Sequence, residues 1–171
     1  VEQFILRGTA QTGFRAPNQA QKFFSKVSTT FINDEPVQTG IFPVNSEVGN
    51  ALGIPDLDEE TSINFSGGVI LKPFERFQIS ADYFNIQIDD RITLSGDLGE
   101  PGTPGAETIH PLLEGTNAQS ASFFTNSIDT ETQGIDVTAK YAALLTDGVL
   151  LQLRGAFNWT ETELTGGPRT P

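Results

Sequence analysis

The run Val149-Leu150-Leu151-Gln152-Leu153-Arg154-Gly155-Ala156-Phe157-Asn158-Trp159-Thr160 sorts by parity. Val149, Leu151, Leu153, Gly155, Phe157 and Trp159 fall on one side, and Leu150, Gln152, Arg154, Ala156, Asn158 and Thr160 on the other. Side chains of a strand alternate between two faces, so this is a strand with one apolar face and one wetter face. Four more segments carry the same period. Phe4, Leu6, Gly8, Ala10, Thr12 and Phe14 alternate with Ile5, Arg7, Thr9, Gln11 and Gly13. Ile63, Phe65, Gly67, Val69 and Leu71 alternate with Ser62, Asn64, Ser66, Gly68, Ile70 and Lys72. Phe77, Ile79, Ala81 and Tyr83 alternate with Gln78, Ser80 and Asp82, and Ile135, Val137, Ala139 and Tyr141 with Asp136, Thr138 and Lys140. Beyond Tyr83 the apolar residues change parity, to Phe84, Ile86 and Ile88, which predicts a bulge there or a strand that passes from one environment to another.

The connections alternate in length. Long irregular stretches cover 17–59 and 96–118, the first with a short helical or strand piece at Ser46 to Leu52; short turns cover 73–76 and 142–148, the latter holding Asp147-Gly148, a hairpin dipeptide. In an up-and-down antiparallel sheet this puts every long loop at one end and every tight turn at the other. Strands of about ten residues so joined fit a transmembrane β-barrel, since roughly 9–11 tilted residues cross the hydrocarbon layer. Aromatic residues lie at both ends of the apolar parity (Phe4 and Phe14, Tyr141 and Trp159), as interfacial girdles do. The same alternation also suits a soluble β-sandwich binding module or adhesin, in which the apolar parity is buried between two sheets.

Composition removes other classes. The 171 residues carry a formal charge of -12, which argues against binding to a nucleic-acid backbone, since that needs clustered positive charge. There is no Cys and one His, leaving no thiolate or multi-His metal site, and no cofactor is expected. His110 reads as a solvated loop side chain. The acidic cluster Asp56, Asp58, Glu59 and Glu60 reads as a solvated loop edge, with a Ca²⁺ site as the alternative. No nucleotide, zinc-protease or serine-hydrolase motif is present, and Asp89 and Asp90, adjacent on a strand, point to opposite faces, so no catalytic residues are expected. The chain has no Met, so a piece of a longer protein is expected.

Several stretches resemble the barrel of TonB-dependent outer-membrane receptors. Gly13-Phe14-Arg15-Ala16-Pro17 is similar to the family's G-F-R-A-P strand end. Glu60-Thr61-Ser62-Ile63-Asn64-Phe65 is similar to its P-E-x-S-x-N strand start, with Glu59 where Pro is usual. Asp82 to Ile92 resembles its D-Y-Y-x-I-x-I-x-D-x-I strand. Asn126 with Gly134-Ile135-Asp136 resembles its N-x-x-x-x-x-x-G-x-D/E stretch, and Phe42 to Leu57 one subgroup's long loop.

The resemblance implies an all-β, antiparallel piece of a 22-stranded plugged barrel, with the plug and the segment that engages the TonB-type energy-coupling protein outside this sequence. It implies a Gram-negative outer membrane and a scarce cargo such as a ferric siderophore. Arg7, Gln11, Lys72, Asp82, Asp136, Lys140 and Arg154 would face the lumen. Phe4, Leu6, Phe65, Val69, Ile79, Val137, Leu151, Leu153, Phe157 and Trp159 would face lipid. The long loops would be extracellular, the short turns periplasmic, and Phe23, Phe24 and Phe31 would line the outer vestibule. A porin-like passive channel is a third reading.

Overall fold

The computed structural model describes residues 3–32, 34–103, 105–146 and 148–169. Five long strands, β1 (Phe4–Arg15), β4 (Glu60–Leu71), β5 (Phe77–Leu94), β7 (Phe124–Thr146) and β8 (Val149–Gly166), form one sheet in the order β1-β4-β5-β7-β8. Neighbours in this sheet are successive along the chain once the elements within the long connections are set aside, and they run antiparallel. Those elements are α1 (Gln19–Phe23), β2 (Lys26–Ile32), β3 (Glu35–Ile41), α2 (Glu47–Leu52), α3 (Ala106–Ile109), a 3₁₀ turn (His110–Leu113) and β6 (Ser120–Ser122).

Contacts divide the chain into two compact units. The wall unit holds 1–13, 62–88 and 130–165, and with them the short turns; the loop unit holds 14–61, 89–129 and 166–171, and with them the long connections.

In the wall unit, Ser80 shares a hydrogen bond with Thr138 at 2.7 Å, and a Cβ on Gly134 would run into the Phe84 ring. Four residues up β5 correspond to four residues down β7, so the register passes Tyr83 unbroken. Of the two expectations for this point, a bulge or a change of surroundings, these contacts fit the second. The face stays the same and the chemistry on it changes, from Gln78, Ser80 and Asp82 to Phe84, Ile86 and Ile88. A left-handed residue occurs only later in β5, at Asp90 with φ 55°. The strands also exceed the expected ten residues: β5 and β8 have 18 and β7 has 23. The 142–148 turn therefore shrinks to the link between Thr146 and Val149, where Gly148 takes φ 92° and Asp147 lies outside the described residues.

The loop unit is not the irregular stretch the sequence suggested. β2 and β3 pair as an antiparallel hairpin from Lys26↔Ile41 to Ile32↔Glu35, and β3 pairs in parallel with β6 at Thr39↔Ser120, Gly40↔Ala121 and Ile41↔Ser122. Pro36, which cannot donate to a ladder, sits where β6 does not reach. Asn18 and Gln21 close a capping box on α1, and Ser46 caps α2 by accepting the Gly49 N–H at 3.1 Å. Gly53, with φ 71°, ends α2 in the left-handed conformation. Phe42, Val44, Val48, Ile54, Leu113, Ala121 and Phe123 form this unit's core.

In the wall unit, a side chain at Gly134 would also overlap the Trp159 carbonyl oxygen, a backbone atom that cannot step aside. Gly134→Val in the assembled barrel should lower its unfolding free energy by about 1–3 kcal/mol in a urea titration. Gly67→Val, where a Cβ meets nothing, should leave the midpoint unchanged.

Candidate functional site

The functional surface of the wall unit is its pair of faces. On one face Arg7 of β1 reaches across β4 to Asp82 of β5, its Nε donating at 2.7 Å and its Nη2 donating to the second carboxylate oxygen. Gly68 makes the crossing possible, because a Cβ there would overlap the Asp82 carboxylate. Along β7 and β8 the same face continues as a polar ladder. Asn158 donates to Asp136 at 2.6 Å, and Thr132 and Thr162 share a hydrogen bond at 2.9 Å. Gln11 lines a hollow on this face with Thr9, Ser62, Asn64 and Ser66, against Phe84, Ile86 and Ile88. Asn64 Oδ1 is buried there without a hydrogen-bond partner among the described residues. Lys72, Lys140 and Arg154 line a second hollow beside the 73–76 turn.

The opposite face is apolar and uncovered: Leu6 is 71% exposed and Phe157 61%. Phe65, Leu151, Leu153 and Trp159 are exposed on it as well. This chemistry stops at a definite level. The Tyr83 hydroxyl donates to Gln133 at 3.1 Å, and past it on the same face Asn85 donates to Glu131. On β8 the apolar parity ends at Trp159 and continues as Glu161 and Glu163. A strand of 18 residues spans roughly 60 Å, about twice what a tilted crossing of hydrocarbon uses.

The motif residues Gly13 to Pro17 sit at the end of β1. In the loop unit, Arg15 donates to both Glu60 oxygens, at 2.8 and 2.5 Å, and the Ile92 N–H donates to Glu60 as well at 2.8 Å. Glu60, read from sequence as part of a solvated acidic edge, is thus a buried strand residue. Its carboxyl is held below the ordinary range, first by the Arg15 hydrogen bonds and further by the Ile92 N–H, against the opposing effect of burial. No group of side chains able to hold a metal ion occurs among the described residues. His110, though exposed, donates through Nε2 to the Gly99 carbonyl at 2.8 Å. Phe23, Phe24 and Phe31 are all exposed.

The family model of the TonB-dependent receptor-like β-barrel matches residues 1–171, and the chain belongs to that family. Its members are receptors and transporters, not enzymes. The RagAB peptide transporter aligns over 96% of this chain and 16% of its own, with a TM-score of 0.60 and 14% identity. The siderophore receptor PirA from Pseudomonas aeruginosa aligns over 93% of this chain and 32% of its own, with a TM-score of 0.46 and 15% identity. At such identities the first likeness speaks for the fold alone. No curated protein matches the sequence.

Because Glu60 is depressed in the folded state, its contribution to stability is complete above the unfolded value of about 4.3 and is lost as pH falls through the lower folded value. Below pH 4.3, Glu60→Gln should flatten the acid decline of stability in the assembled barrel. At pH 7 it should lower stability by about 1–3 kcal/mol, both read from denaturant midpoints across pH.

Proposed function

We propose that this chain is a stretch of barrel wall in an outer-membrane TonB-dependent receptor that takes up a scarce nutrient, in a Gram-negative cell. The carrying observation is the apolar run from Val149 to Trp159 on one face of β8, followed on that face by Glu161 and Glu163. Its length matches the ~9–11 residues of a tilted crossing. The Leu6 and Phe157 face is then the lipid face, with Phe4, Val69, Ile79, Val137 and Leu151. The Arg7–Asp82 face is the lumen wall, with Gln11, Lys72, Asp136, Lys140 and Arg154. The long connections lie outside the cell and the short turns at the periplasm, and Phe23, Phe24 and Phe31 contribute to the outer vestibule.

The cargo of this reading is a ferric siderophore, admitted when a TonB-type protein acts on a plug. The plug and coupling segment belong to the complete receptor. RagAB is named as a peptide transporter, which makes peptide the competing cargo. Deleting the complete gene should abolish uptake of radiolabelled iron from ferric siderophores and spare uptake of oligopeptides; the reverse pattern would transfer the cargo assignment to peptide.

The lipid assignment has its own check. Leu153→Arg, in the middle of the apolar run, should cost about 2–4 kcal/mol of barrel stability in bilayers. Gln152→Arg, one residue away on the other face, should be tolerated. Equal effects of the two would remove the membrane reading.

A further inference from the structure

In the wall unit, Ser80 sits opposite Thr138 and the Ala142 N–H donates to the Arg76 carbonyl at 2.9 Å, so the position between them pairs Gln78 with Lys140. On the other side of β7, Thr132 meets Thr162 and Asp136 meets Asn158. Continuing that antiparallel step sets Lys140 opposite Arg154. Gly68 of β4 lies against Asp82, and the same step sets Lys72, the residue after β4, opposite Gln78. Lys72, Gln78, Lys140 and Arg154 thus form one row running from β4 through β5 and β7 to β8. They share the parity of Gly68, Asp82, Asp136 and Asn158, so the whole row lies on the Arg7–Asp82 face.

The charge of this row is not balanced. Paired strands lie about 4.8 Å apart, and like charges directly opposite one another destabilise a sheet. Elsewhere on this face charge is matched: Arg7 holds Asp82, and Asn158 donates to Asp136. Among the described residues, Lys72, Lys140 and Arg154 make no ion pair. They are three of the ten cations in a chain of net charge -12, and Lys140 and Arg154 are exposed. The positive strip is also shallow. One row further along this face lie the neutral Ser80 and Thr138, and one row beyond them the carboxylates Asp82 and Asp136. A long acidic segment running up the strands would meet those carboxylates, whereas a compact anion lying across the row would not.

We propose that this row is a binding station for a compact oxyanion, a soluble ligand with clustered carboxylate or phosphate groups. Lys72, Lys140 and Arg154 supply the positive charge and Gln78 an amide N–H, and charge-assisted hydrogen bonds of this kind are the strong ones. The proposal rests on the membrane reading above, which makes this face the lumen and this end of the wall the periplasmic side. It adds to that reading a second place for an anionic cargo, beyond the outer vestibule.

The test uses the complete receptor in phosphatidylcholine nanodiscs. Gln78→Cys, in the middle of the row, is modified with a water-soluble maleimide, and the modified peptide is counted by mass spectrometry; this chain has no Cys of its own. Citrate should slow the modification about fivefold relative to chloride at matched ionic strength. Inorganic phosphate is the second arm, and the anion that protects at the lower concentration separates carboxylate from phosphate recognition. With Lys140→Gln and Arg154→Gln added, the protection should vanish while the folded-barrel gel mobility is unchanged. Lys72→Gln alone should weaken protection severalfold, which keeps the test decisive where the double variant does not fold. A Gln78→Cys that stays unreactive without anion, as it would beneath a covering polypeptide segment, would overturn the proposal. So would equal protection by chloride, or protection that survives removal of the cations. Failure of the membrane reading looks different: Leu153→Cys, on the opposite face, should stay unreactive in the nanodiscs, and its reacting as fast as Gln78→Cys would remove the lumen and lipid assignments themselves.

Discussion

Hydrocarbon offers no hydrogen-bond partner, so a backbone that crosses it must pair every N–H and C=O within the protein. In the five-stranded sheet β4, β5 and β7 have a neighbour on both sides and β1 and β8 on one, and the sequence is compatible with such pairing throughout. None of the ten prolines falls within β1, β4, β5, β7 or β8; they are confined to connections, the loop unit's own β3 and the residues after β8. Two of the wall's glycines sit where strands must pass close under something else. Gly68 lies under the Arg7–Asp82 pair, and Gly134 lies between the Phe84 ring and the β8 backbone.

Once the backbone is paired, the side chains decide what each level of the wall can touch. The apolar face ends at Tyr83 on β5, at Ile135 on β7 and at Trp159 on β8, and polar or acidic side chains take over on that face. The opposite face changes in the other sense on β5, from Asp82 to Phe84, Ile86 and Ile88. In the proposed membrane setting, a wall twice as long as a hydrocarbon crossing needs such a change, because apolar side chains beyond the lipid would meet water. The amphipathic pattern therefore inverts along one uninterrupted strand.

The loop unit answers a different requirement. Connections of this length are costly to leave unstructured, and here they acquire a core of their own. Phe42 and Phe123, from the two different long connections, sit with ring centroids 6.4 Å apart. Ser120, Ala121, Ser122 and Phe123 are essentially fully buried, because β6 pairs with β3 and Ala121 also bridges to Leu98. Arg15 and Glu60 join the start and end of the first long connection.

Alternation is a local property, so the number and order of the wall strands and the polarity of their faces were legible in Phe4 to Phe14, in Phe77 to Tyr83 and in Val149 to Trp159. A short ordered piece at Ser46 to Leu52 was legible, but the residues alone did not decide between helix and strand; the structure shows a helix that Ser46 caps and Gly53 ends. The switch at Phe84 was visible as a pattern but not interpretable alone: a bulge and a change of surroundings leave the same trace in sequence, and only the Ser80–Thr138 pairing and the Phe84–Gly134 approach tell them apart. The pairing of β3 with β6, the Arg15–Glu60 bond and the basic hollow beside the 73–76 turn bring together residues tens of positions apart. Such contacts depend on how the chain returns on itself in space, and tertiary structure alone determined them.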